Sequence, residues 1–75
     1  MHLHRRDPAR SMFRFYRLRV VFDLWGGVAL LREWGRIGSP GRVRLDPHTD
    51  EGAALAAARR LLKAKLRRGY QAVAA

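Results

Sequence analysis

Apolar and polar side chains alternate from Met12 to Asp23, and the same beat returns twice before the chain changes period. In the first run Tyr16, Leu18, Val20 and Phe22 alternate with Phe15, Arg17, Arg19 and Val21. A period of two puts successive side chains on opposite faces of a strand, and the aromatic and β-branched content favours strand over helix. The first set is expected to face the core, leaving Arg17 and Arg19 pointing away. Asp23-Leu24-Trp25-Gly26-Gly27 then reads as a hairpin connection, whose glycines supply the positive φ of a tight return. Trp25 either folds back over the sheet, the favoured expectation, or stands exposed for a partner.

Val28 to Arg36 predicts a second strand. Val28, Leu30, Arg32 and Trp34 share one face, and Ala29, Leu31, Glu33 and Gly35 the other. Both faces begin apolar, so periodicity leaves open which one meets the core. If Arg32, Trp34 and Arg36 lie outside, they join Arg17 and Arg19 in one arginine-rich plate around an indole. If Trp34 lies inside, its role is structural. Gly38-Ser39-Pro40-Gly41 is a turn, and Arg42-Val43-Arg44-Leu45 a short third strand stopped by Asp46-Pro47-His48. His48 is expected as a solvated loop residue.

Beyond Thr49 the period becomes helical. Thr49 or Asp50 serves as the cap, and Asp50 and Glu51 set negative charge at the positive end of the helix. Ala54, Leu55, Ala58, Leu61, Leu62 and Leu66 form one apolar stripe, with Lys65 at its edge. That stripe is expected to pack on Tyr16, Leu18, Val20 and Phe22. Gly69 is placed as the stop, with Tyr70 folding back on the last turn. Three units are expected: a flexible basic arm over 1–11, a domain over 12–70 and a frayed tail over 71–75. The fold class is α+β: a small antiparallel sheet of at least three strands, with one C-terminal amphipathic helix on one face.

Composition sharpens this picture mainly through charge. Sixteen Lys+Arg face six Asp+Glu, a formal net charge of +10, and only Lys63 and Lys65 among the cations are lysine. Such a surface attracts polyanions, and arginine favours bidentate phosphate contact and stacking. An acidic protein or an anionic membrane would attract the same charge. A membrane is discounted, because the apolar stripe is the only helix available to cover the sheet. The 75 residues make one small domain. With no cysteine there is no disulfide or thiolate metal site, which fits a cytoplasmic, nucleoid-associated location. Met1 to Arg6 is not followed by the apolar run of a secretory signal.

Candidate chemistry is thin. Ser11 and Ser39 sit in flexible stretches without a His-Asp partner, and no two carboxylates form an obvious pair. Glu33 is explained by a neighbouring arginine. His2 and His4 beside Asp7 are not expected to hold a metal. No glycine-rich loop opens the helix, so no phosphate-binding loop of that kind is present. No enzyme activity, cofactor, metal or small-molecule substrate is expected.

One ordered set of residues carries a resemblance. Trp34-Gly35-Arg36, within Arg32-Glu33-Trp34-Gly35-Arg36-Ile37-Gly38, resembles the signature of the WGR domain. Phe15-Tyr16-Arg17-Leu18 is similar to that family's opening strand, Gly26-Gly27 to its hairpin and Gly41-Arg42-Val43-Arg44 to its next strand. The helix ending in Lys65 through Gly69-Tyr70 fits as well, so the likeness covers roughly 13–70. Val28 stands where the family often has an aromatic, and Trp25 is the nearest ring. WGR domains occur in poly(ADP-ribose) polymerases, where they hold DNA near a strand break. The resemblance implies that Trp34 stacks on sugar or base, that Arg36 contacts the backbone or a neighbouring domain, and that Gly35 permits close approach. It also favours an accessible Trp34. Arg32, Arg42, Arg44, Arg17 and Arg19 are added from charge and placement alone. The expected partner is double-stranded DNA near ends or nicks, without strong sequence specificity. The alternative is a protein-interaction module docking on a DNA-repair or modification enzyme. RNA stays open, because stacking plus arginine does not separate the two nucleic acids.

Overall fold

The computed structural model describes residues 1–73. Its strands are β1 (His2–Asp7), β2 (Met12–Phe22), β3 (Val28–Arg36), β4 (Arg42–His48) and β5 (Gln71–Ala72), with helix α1 (Glu51–Arg67) between the last two. They form one sheet in the order β4-β3-β2-β1-β5, and every neighbouring pair is antiparallel. The α+β architecture is therefore the one expected, with two more strands than the required three.

Helix α1 covers one face of this sheet. Leu3, Tyr16, Leu18, Leu30, Ala58 and Tyr70 make the buried cluster, with Trp34, Ala57, Leu61 and Leu62 packed against it. The small side chains Ala54 and Ala58, both fully buried, let the helix backbone approach closely enough for Leu18 and Leu30 to fill the gap. Asp50 caps the helix, its Oδ1 accepting the Ala53 N–H at 2.8 Å. At the other end Gly69 takes φ +94° and the Tyr70 N–H returns to the Lys65 carbonyl, so Tyr70 folds back into the core as expected.

Four expectations need correction. The arm over 1–11 is strand β1 followed by a 3-10 turn at Pro8–Arg10, with Ser11 left-handed at φ 51°. Only Leu3 of β1 points into the core, so there was too little alternation to see; that one side chain is 1% exposed. The tail begins as β5, where Leu3 pairs with Ala72 and His4 with Gln71; the rest of the expected fray, 74–75, lies outside the described residues. The third strand runs on through Asp46 and Pro47 to His48, whose backbone opposes Val28. β4 is an edge strand, so a proline without an N–H is tolerated there. Finally, Leu66 is 45% exposed and Lys65 holds the inner position instead. Lys65 lies four residues beyond Leu61 and three beyond Leu62, so helical spacing returns it to the packed face.

Leu3→Ala is expected to cost about 2–4 kcal/mol, because it empties a fully buried site. His4→Ala, on the opposite face, is expected to cost well under half of that. Urea denaturation of both variants checks this; an unchanged midpoint for Leu3→Ala would return β1 to the status of a loose arm.

Candidate nucleic-acid interface

Register decides which side chains meet. Across the helix-covered face one row reads Ala72, Leu3, Tyr16, Trp34 and Arg42, one residue from each strand. Trp34 is thus on the inner face and half-buried, its ring stacked on Tyr16 with centroids 6.1 Å apart and planes 20° from parallel. Tyr16 in turn meets Tyr70 edge-on at 6.4 Å. Lys65 reaches over from the helix, its Nζ 4.4 Å from the Tyr16 ring centre and 5.4 Å from that of Tyr70.

The next row toward the helix C-terminus is all cation: Arg5 opposes Arg14, and Arg14 opposes Arg36. Like charges set directly across strands repel and destabilise a sheet. The aromatic row and this arginine row border one open cleft of about 540 Å³, lined by Arg14, Tyr16, Trp34, Arg36, Lys65 and Tyr70 among others. Among the described residues, none of Arg14, Arg36 and Lys65 is within ion-pair distance of a carboxylate. Burial lowers the Lys65 pKa from its ordinary value, and Arg68, Arg32 and Arg14 lower it further.

Arg32 and Arg44 are differently placed. Arg32 Nε donates to the Tyr16 hydroxyl at 2.9 Å and Nη1 to Asp46 Oδ2 at 3.0 Å, while Arg44 Nε donates to Asp46 Oδ1 at 2.6 Å. Burial of Arg32 works against its charge, but the bonds to Tyr16 and Asp46 outweigh that and hold its pKa raised. The Arg32 hydrogen bond, reinforced by Arg44, holds Asp46 below the usual carboxylate range despite its desolvation. Both guanidiniums are therefore tied to the protein itself, and Arg32 helps fix the orientation of Tyr16.

The single arginine plate does not form. Arg17 and Arg19 lie on the uncovered face, opposite Glu33 and Leu31, with Arg17 stacked 4.8 Å over the Phe15 ring. Trp34, Arg32, Arg36, Arg42 and Arg44 share the helix-covered face, because strand parity puts Tyr16 and Trp34 in direct register. Gly35 has an internal reason to be glycine. A Cβ there would stand 2.7 Å from Gly41 Cα and 3.4 Å from the Phe15 ring. Gly41, at φ +74°, is closed in by the Trp34 carbonyl and Phe15. The tripeptide thus seats the turn after β3 against the back of the sheet while its indole faces the cleft. Arg14, Lys65 and Tyr70 were not picked out from sequence as site residues. The alternation of Arg14 with Tyr16 and the inward helical spacing of Lys65 were the available signals.

Set beside known proteins, this geometry has a family. The whole chain, residues 1–75, matches the WGR domain family model, and the chain belongs to that family. WGR is a binding domain, known as a nucleic-acid-binding module in proteins resembling poly(ADP-ribose) polymerases. The chain is 37% identical over 71 residues to the uncharacterized protein y4dW of Sinorhizobium fredii, covering 95% of this chain and 35% of that protein. It thus spans about a third of the length of the curated relative it matches. No solved structure matches the chain significantly.

Gly35→Ala is expected to destabilise the fold by about 1–3 kcal/mol, since the atom that the new methyl overlaps, Gly41 Cα, is backbone. Thermal denaturation reads this directly; full stability in that variant would mean that Gly35 is kept for contact with a ligand.

Proposed function

We propose that this domain is a non-catalytic module that binds double-stranded DNA near ends or nicks, through backbone contacts and the Trp34 face, without strong sequence specificity. One observation carries the reading: a stacked aromatic pair borders a cleft in which Arg14 and Arg36 oppose one another and, with Lys65, have no carboxylate partner among the described residues. A run of phosphates supplies the missing counter-charge, and a sugar or exposed base finds a flat ring. Arg14, Arg36 and Lys65 are the first phosphate contacts, with Arg5, Arg42 and Arg68 at the margin. Gripping a backbone requires no base-edge contact, hence the weak sequence preference. A second reading has the same face docking on an acidic patch of a repair or modification enzyme. It rests on the same unpaired cations, which an acidic protein surface answers equally well.

The cleft's protonation gives a signature. Because the Lys65 pKa is lowered from 10.5, the folded state sheds this proton before the unfolded chain does. Stability from this group therefore rises with pH between the lowered value and 10.5. A bound phosphate favours the charged amine, so binding takes up a proton and affinity falls as pH climbs through the lowered value.

Fluorescence anisotropy on a short labelled duplex, over salt and pH series, tests the reading. Affinity is expected to fall with salt at a log–log slope of about −0.9 per phosphate neutralised, and Lys65→Gln or Arg14→Gln should each flatten that slope by about one. Both variants are expected to stay folded, Arg14→Gln gaining relief from Arg5 and Arg36. Lys65→Gln should also remove the alkaline loss of affinity. Trp34→Ala is less informative, because the indole packs on the core and its loss mixes unfolding with binding. Free-ended duplex should compete better than a closed circle or RNA. Absence of binding at low salt would defeat the DNA reading and leave the docking one.

A further inference from the structure

At the opposite end of the molecule, which is 46 Å along its longest axis, the surface changes character. Residues 20–31 and 45–58 contain no lysine or arginine, although the chain has 16. The same two stretches hold Asp23, Asp46, Asp50 and Glu51, four of the six acids. The sheet brings them together: Val28 pairs with His48, Ala29 with Pro47 and Leu30 with Asp46. Asp46 is answered by Arg32 and Arg44, so Asp23, Asp50 and Glu51 are the carboxylates that this end of a +10 domain presents.

This end is also apolar. Trp25, expected to cover the sheet, is instead 88% exposed, with Leu24 at 93% and Phe22 at 61%. The indole does not hang from a loose loop. Asp23 Oδ1 accepts the N–H groups of Trp25 at 2.8 Å and Gly27 at 2.7 Å, and the Asp23 N–H returns to the Gly27 carbonyl at 3.0 Å. A side chain at Gly27 would displace the Asp23 carboxylate from these bonds. The turn fixes the Trp25 backbone, and the ring stands in solvent, covering little of its own fold. Beside it a groove of about 480 Å³ runs onto the uncovered sheet face between Val21, Phe22, Ala29, Leu45 and Pro47.

We infer that this end is a second binding surface, distinct from the cleft, and that it takes a protein segment whose apolar side chains are flanked by lysine or arginine. Charge complementarity selects that occupant. A polyanion is repelled by Asp23, Asp50 and Glu51, and a bare apolar segment brings no cation to them. Trp25, carried on a hydrogen-bonded turn, acts as the anchor, a role in which tryptophan gives large contact area. The groove accepts the partner's apolar side chains, and the carboxylates meet its cations. The two surfaces lie at opposite ends, so one domain can hold DNA and a basic protein segment at once.

The test uses protein labelled with 5-fluorotryptophan, in which Trp25 and Trp34 give two separate fluorine signals. The probe is a short synthetic amphipathic peptide of leucine and lysine, with a leucine–glutamate counterpart as control. The basic peptide is expected to shift the Trp25 signal saturably and leave Trp34 in place; the acidic peptide should leave Trp25 unmoved. Trp25→Ser should weaken the basic peptide at least tenfold and Glu51→Gln severalfold, both with duplex affinity unchanged. A Trp25 signal indifferent to the basic peptide overturns the inference. So does one that moves on concentrating the protein alone, which would make the occupant a second copy. Movement only with phosphatidylglycerol vesicles would make it a lipid surface and overturn the inference too.

Discussion

The cross-strand pair Tyr16–Trp34 is the contact on which the rest of the structure turns. It forms because β2 and β3 pair in a register that puts these two rings opposite one another on the helix-covered face. Tyr16 is buried and belongs to the core; Trp34 packs on it and reaches partway to solvent. The hydroxyl of Tyr16 accepts from Arg32, which Asp46 anchors in turn, so the aromatic pair is pinned from the polar side as well. Lys65 closes over Tyr16 from the helix. A one-residue slip of β3 would send Trp34 and Arg32 to the uncovered face and leave Leu30 outside the core. Core packing and the binding cleft are thus set by the same register.

This explains how much the sequence disclosed. The long strands β2 and β3, the helix cap at Asp50 and the stop at Gly69 were legible, because each rests on a local pattern. The WGR tripeptide was legible as a motif, but its orientation was not. Both faces of β3 begin apolar, and only Leu30 against the helix decides between them. Strand β1 escaped because its one inward apolar residue, Leu3, sits among histidines and arginines. The split of the arginines was likewise hidden. Arg17 and Arg19 look equivalent to Arg14 in a list of charges, yet Arg14 shares the face of Tyr16 and the other two do not. Lys65 read as the edge of a stripe, and only the sheet beneath it puts its ammonium over the Tyr16 ring.

Charge is sorted along the molecule by the same means. Arginines tied to Asp46 hold the middle of the covered face, whereas those bordering the cleft oppose one another across strands. A fold built only for stability would gain by separating that arginine row. The cost is moderate in a solvated cleft and is offset when an anion enters. The hairpin end carries the opposite imbalance, with an exposed indole and carboxylates in place of cations. The uneven surface is therefore intelligible as two binding surfaces on one small scaffold.

The most direct measurement is a titration of the isotope-labelled domain with a short blunt-ended duplex, followed residue by residue in the nuclear magnetic resonance spectrum. The account predicts that the Trp34 indole N–H and the amides of Arg14, Arg36, Lys65 and Tyr70 shift together, while Arg17, Arg19 and Trp25 hold their positions. Shifts that gather on Arg17 and Arg19 of the uncovered face, with the Trp34 indole unmoved, would contradict it.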